Sequence, residues 1–253
     1  MSTITEISLP SHVRASSFTV ENKRGKYGEL HSSEILNFLK PSLPTTFCEF
    51  DSKGRGDAVN IDLYGWDAEQ AVGIVQIRQA FRVYKNGFMN VRKTYVLCGY
   101  NENGESFRHP VSAGIIHGAI RKGHSPAGVV MACQLWMWNV TPKKLEQSVR
   151  QGDVLIVPER DRDPATKLAK KYRVETENGA VELGSHIIES DDIILCFDDE
   201  DDLKLVYARK PVLKHSKDQH GVTRAPLADN HGWYSVRMGQ EAHAWNHAQR
   251  MGD

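Results

Sequence analysis

The chain has 253 residues, 40% of them hydrophobic and 25% charged, and its 32 Lys plus Arg match its 32 Asp plus Glu to give a formal net charge of zero. That balance excludes a strongly basic nucleic-acid-binding tail protein, and the composition excludes disordered, collagen-like and coiled-coil classes. The length supports a packed core arranged as one large or two small domains.

The N-terminus reaches His12 and Arg14 before any apolar run, which is not the pattern of a secretory signal. The longest apolar stretch, 127–138, is interrupted by Gly128 and Gln134 and falls short of the ~18 residues of a spanning helix. A soluble, cytoplasmic protein without membrane contact is expected. Cys48, Cys98, Cys133 and Cys196 lie far apart in apolar surroundings with no CxxC pair, as buried thiols in a reducing compartment would.

In chain order, residues 1–33 show little periodicity, with Lys23, Arg24 and Lys26 beside Gly25 and Gly28, and read as a flexible arm or edge strand. Ser33 followed by Glu34, Ile35, Leu36, Phe38 and Leu39 predicts a short capped helix that stops before Pro41. Gly54-Arg55-Gly56-Asp57 reads as a turn. From Val59 the period changes to two. A strand is predicted over 74–84, with Val75, Ile77, Gln79, Phe81 and Val83 on one face and Gln76, Arg78, Ala80, Arg82 and Tyr84 on the other. Asn86-Gly87 is a hairpin turn, a return strand follows over 88–98, and a second turn at 101–104 leads into 105–111. A short helix is predicted over 112–122. Over 126–140 the spacing of Trp136 and Trp138 suits a strand but the flanks allow a helix, which is the reading taken, and Thr141-Pro142 caps another turn or helix. Beyond Arg150 short strands are predicted at 154–157, 181–188, 193–197, 203–208, 212–215 and 233–238. The fold class is therefore α+β. An antiparallel meander with short helices fills 1–150, and a small antiparallel β-barrel or sandwich fills 151–253.

Zero net charge hides two opposed patches. Between Ile74 and Tyr100 there are five basic residues, Arg78, Arg82, Lys85, Arg92 and Lys93, and no acidic one; between Val174 and Asp202 there are eleven acidic residues and no Lys or Arg. The basic hairpin is interleaved with Phe81, Tyr84, Phe88 and Tyr95. Cations beside aromatic rings suit single-stranded nucleic acid such as RNA, because phosphates need positive charge and unstacked bases need flat partners. The same residues also suit a solvated face with its aromatics in the core, or a contact with the acidic half inside the same protein or across a homo-oligomer. The run Asp198-Asp199-Glu200-Asp201-Asp202 lacks the spaced ligands and glycine of a calcium loop and reads as a solvated hairpin loop.

Six of the eleven histidines follow Val181. His186, His215 and His220 lie at strand ends or the loop beyond, where a barrel brings neighbouring strands together. Imidazole serves both proton transfer near neutral pH and binding of a divalent metal, zinc above all. The three are candidate catalytic and metal-binding residues. With zinc they would activate water; without it, a histidine pair beside Lys214 or Tyr234 would run acid and base steps on a phosphodiester. His243 and His247 share a face of a predicted helix over 240–249, and Arg108 with His109 is a candidate phosphate clamp. HxH, HExxH, phosphate-loop, GxGxxG and GxSxG signatures are absent, so no nucleotide cofactor is expected. Two functions follow as expectations. One is nucleic-acid binding through Arg78, Arg82, Tyr84, Lys85, Arg92 and Lys93 with a histidine hydrolase site, a phosphodiesterase or ribonuclease. The other is a non-catalytic interaction protein that assembles through opposed charge.

Overall fold

The computed structural model describes residues 9–15, 22–23, 26–27, 32–43, 58–82, 89–100, 104, 106–160, 163–215, 222–225 and 232–240. The fold is α+β and divides into two compact units. One takes the described residues up to Met137 together with Gln240, and the other takes Trp138–Gly239. Among the described residues no helix is long and apolar enough to cross a membrane.

The first unit opens with α1 (Ser11–Ala15), a two-stranded ribbon of β1 (Asn22–Lys23) and β2 (Lys26–Tyr27), and α2 (Ser33–Leu39), so the stretch read as a flexible arm or edge strand holds a short helix and a short ribbon. Pro41 converts the end of α2 into a 3-10 turn, Lys40–Ser42, instead of a simple stop. The meander follows as β3 (Ala58–Asp67), β4 (Val72–Arg82), β5 (Met89–Tyr100) and β6 (Ser106–Pro110), hydrogen-bonded in that order. Alternation sorts its side chains. Leu63, Val75, Ile77, Val96 and Cys98 point to one face and bury there with Leu9, which precedes α1, Val13 of α1, and Ile35 and Leu39 of α2. Each such large apolar side chain contributes roughly 1.5–3 kcal/mol.

The opposite face carries the polar members Asp62, Gln76 and Tyr95, and α3 (Ala113–Arg121) lies against it through contacts of His117 with Tyr64 and Tyr95. α4 (Pro126–Trp138) is helical as expected, because Pro126 takes the first position and the Ser125 hydroxyl accepts from the Gly128 amide at 3.2 Å. It contains no charged residue and buries Val129, Val130, Cys133, Met137 and Trp138.

The second unit contains α5 (Pro142–Glu146), β7 (Val149–Gln151), β8 (Val154–Pro158), α6 (Pro164–Leu168), β9 (Arg173–Leu183), β10 (His186–Phe197), β11 (Leu203–Arg209), β12 (Val212–His215), β13 (Thr223–Arg224) and β14 (Trp233–Met238). Thr141 and Asp163 cap α5 and α6 with side-chain oxygens, each followed by a proline at the first helical turn. The strands form one antiparallel sheet in the order β13-β12-β10-β11-β14-β8-β7, with β9 along the other edge of β10. β10 is the organiser. Its residues 186–189 pair with β12 and its residues 193–197 pair with β11, the switch falling at an irregularity after Ser190. This lets the sheet curl into a nearly closed barrel, with β7 and β13 at the seam.

The sequence reading of one strand over 181–188 crosses a tight turn. Gly184 adopts φ 62° there, so Leu183 ends β9 and His186 begins β10, which continues through the separately expected 193–197 strand. Apolar residues on both sides concealed the turn. The acidic run forms the β10–β11 loop, with the Asp202 amide donating to Asp198 Oδ1 at 3.0 Å and Lys204 Nζ within 2.9 Å of Asp198 Oδ2. The Lys204 hydrogen bond, with backbone amides, holds the Asp198 carboxyl below its ordinary range.

Candidate functional sites

The barrel seam is built around Gln151, which is fully buried at the end of β7. Its amide nitrogen donates to Thr223 Oγ1 on β13 at 3.1 Å and to the Leu213 carbonyl on β12 at 3.4 Å, bridging the gap in the sheet. Its Oε1 lies 3.3 Å from Nδ1 of His186, and Nε2 of His186 lies 2.9 Å from Asp153 Oδ1. His186 and His215 are directly paired across β10 and β12, and their rings meet edge to face with centroids 5.2 Å apart. His186 is 2% and His215 7% exposed, whereas the Asp153 side chain is 37% exposed and is where the cluster reaches solvent.

Two of the three barrel histidines thus meet, and His220 lies outside the described residues. Both proposed neighbours of the pair have other surroundings. Lys214 alternates to the opposite side of β12 from His215 and binds Glu189 Oε1 at 2.7 Å, and Tyr234 is buried in the barrel core with Ile156 and Val206. Among the described residues no three His, Cys, Asp or Glu side chains are grouped to hold a metal ion. The ring nitrogens of His186 face Asp153 and Gln151, so a metal at this histidine would have to displace one of them.

The candidate nucleic-acid interface lies on the polar face of the meander. Asn60, Arg78 and Lys93 are register partners across β3, β4 and β5, with Asn60 and Lys93 exposed and Arg78 half-buried. Arg82 and Arg92 sit on β4 and β5, opposite Met89 and Gln79, while Tyr84 and Lys85 and the Asn86-Gly87 turn lie outside the described residues.

One row further along, Asp62, Gln76 and Tyr95 are partners across the same strands and all three are buried. Gln76 Nε2 donates a short hydrogen bond to the Tyr95 hydroxyl, which lies 2.8 Å from Nε2 of His117 on α3. Burial first, then the charges of Arg121 and Lys93, holds His117 below the ordinary imidazole range. Sequence reasoning missed Gln76, Tyr95, His117 and Arg121 as a group. The available signal was the period-two placement of Gln76 and Tyr95 on the face shared with Arg78 and Lys93, and the i, i+4 spacing of His117 and Arg121.

The other candidates separate. His109 and Arg108 point to opposite sides of β6, and His109 is buried with Nε2 donating to the Gln240 carbonyl at 2.8 Å, so the two do not form a phosphate clamp. His243, His247, Cys48 and the Gly54–Asp57 turn lie outside the described residues. Cys98, Cys133 and Cys196 are free and buried, and burial pushes the Cys133 thiol up to about 12, which removes it from nucleophilic chemistry near neutral pH. No protein-family model, curated protein or solved structure matches the chain at a significant level.

Proposed function

We propose that the protein binds single-stranded nucleic acid, RNA in particular, on the Arg78 and Lys93 face of the meander, and acts on a phosphodiester at the barrel seam through His186 and His215. The observation that carries the catalytic half is the pairing of the two imidazoles across β10 and β12 with the Asp153 carboxylate on His186. A carboxylate hydrogen-bonded to one imidazole fixes its orientation. In this reading His186 is the positioning residue and His215 the proton-transfer group. Zinc is the cofactor of the metal-dependent form, which needs His220 as a further ligand and release of one present partner of His186.

The test is cleavage of a labelled single-stranded RNA by the full chain, beside metal analysis of the purified protein. The His215→Ala variant is expected to lose activity while retaining RNA binding. Equal activity in both proteins would remove the barrel histidines from the reaction. Zinc lost on His220→Ala supports the metal form; equal metal content in the variant ends it.

The second reading, a non-catalytic interaction protein, draws on the exposed acids of β9 and the β10–β11 loop, Glu177, Asp199 and Glu200 among them. It requires an assembly that loosens as salt rises, and sizing at low and high salt decides it.

A further inference from the structure

Like charges directly opposite each other weaken an antiparallel pair, yet Arg78 and Lys93 are direct partners on β4 and β5. Arg121 adds a third cation. It is exposed at the end of α3, one turn after His117 and on the same helix face. Tyr64 of β3 and Tyr95 of β5 pack their rings against His117, Arg121 of its own helix and Lys93 of β5 act on it through their charge, and Asp62 of β3 with Gln76 and Arg78 of β4 belong to the two adjoining rows of the same sheet face. Asp62, the carboxylate among them, is 1% exposed and sits in the buried row. Arg78 and Lys93 belong to one row, Arg121 ends the helix that carries His117, and the carboxylate of Asp62 lies in the buried row.

We propose that Lys93, Arg121 and His117 form a receptor for a phosphomonoester dianion. The reading of this face as a nucleic-acid contact supplies only the carrier of that phosphate, the phosphorylated end of a strand. A terminal phosphate fits better than an internal one for two reasons. Asn60 and Lys93 are exposed and Arg78 is half-buried, whereas the next row of Asp62, Gln76 and Tyr95 is buried and Tyr95 packs against His117 of α3, so a ligand lying along the cations meets a wall there. A monoester carries about −1.5 to −2 charges at pH 7, enough to engage several cations at once.

The arrangement also couples binding to a proton. A dianion beside the ring offsets the two cations that disfavour imidazolium, so His117 takes a proton from solvent as the ligand arrives. The Tyr95 hydroxyl both donates and accepts, and remains bonded to Nε2 in either state.

The experiment uses the full chain with three probes: inorganic phosphate, a 5′-phosphorylated oligonucleotide, and the same oligonucleotide with a 5′-hydroxyl. Titration calorimetry in buffers of different ionisation enthalpy reads proton uptake, and NMR follows the His117 ring. The phosphorylated strand is expected to bind about tenfold more tightly than its hydroxyl counterpart, an advantage lost in Arg121→Ala. His117→Gln is expected to bind phosphate without proton uptake. Equal binding of both strands, with phosphate leaving the His117 resonances unmoved, overturns the receptor and leaves the strand-contact reading standing. Phosphate that shifts His117 while neither strand binds keeps the receptor and removes the strand.

Discussion

At the scale of single residues, Gln151 has the clearest energetic role. Its amide joins Thr223 on β13 and Leu213 on β12 while its carbonyl faces His186, and all of this occurs out of solvent. Gln151→Leu keeps the volume but strands at least one buried polar partner, at a cost of about 1–3 kcal/mol. Urea unfolding is expected to show a lower midpoint at unchanged slope. His117 gives a prediction with a sign. Its folded-state pKa is depressed below the ordinary 6.5 by burial and by Arg121 and Lys93, so the unfolded chain binds the proton more readily. The His117 contribution to stability is present above pH 6.5 and declines as pH falls below it toward the folded value. His117→Gln is expected to flatten that part of the stability profile, and denaturation midpoints from pH 7.5 to 5 would show it.

At the scale of elements, close backbone approach fixes the β4–β5 pairing. A Cβ at Gly99 would lie 2.3 Å from the Ala71 carbonyl oxygen and 3.0 Å from Val72 Cα, both backbone atoms that no side-chain rotation can clear. Gly99→Ala is therefore expected to destabilise the first unit by about 3 kcal/mol, the upper end of the overpacking range, read as a fall in thermal midpoint. β9 poses the opposite problem. Among the described residues it pairs with β10 alone, so its second edge is open, and exposed Glu177 with Glu175 and Glu182 blunts that edge against pairing with other chains. Replacing the three with Thr keeps strand propensity and removes the charge. Light scattering is expected to rise at concentrations where the parent protein stays clear. Legibility from sequence follows the same physics. β4 and β5 are readable because half-buried strands alternate, whereas the α4 segment is open to either reading, its flanks allowing a helix and the spacing of Trp136 and Trp138 suiting a strand, and Pro126 with the Ser125 cap gives it its helical start in the structure. The β9–β10 turn was hidden by apolar neighbours. The His186–His215 pairing was anticipated only as strand ends meeting, because its register depends on residues 29 apart. Tyr95 and His117 meet through the packing of α3, which no local pattern encodes.

At the scale of the whole molecule, zero net charge means that attraction of a polyanion has little long-range component, and with a screening length of about 8 Å at physiological salt it acts within the patch. Salt dependence then counts contacts. For a single strand, each phosphate neutralised contributes about −0.7 to the slope of log affinity against log salt. Removing Arg78 and Lys93 together is expected to flatten that slope by about 1.4, whereas Asp199→Asn with Asp202→Asn in the other unit is expected to leave it unchanged. A slope unaffected by the meander substitutions would detach the strand from this face. A slope altered by the acidic-loop substitutions would mean that the second unit's charge enters binding, as the interaction-protein reading requires, and sizing across the same salt range would then show association of the chain with itself. The two readings are separated by which set of charges the salt dependence follows, because the basic residues of β4 and β5 and the acids of the β10–β11 loop belong to different compact units.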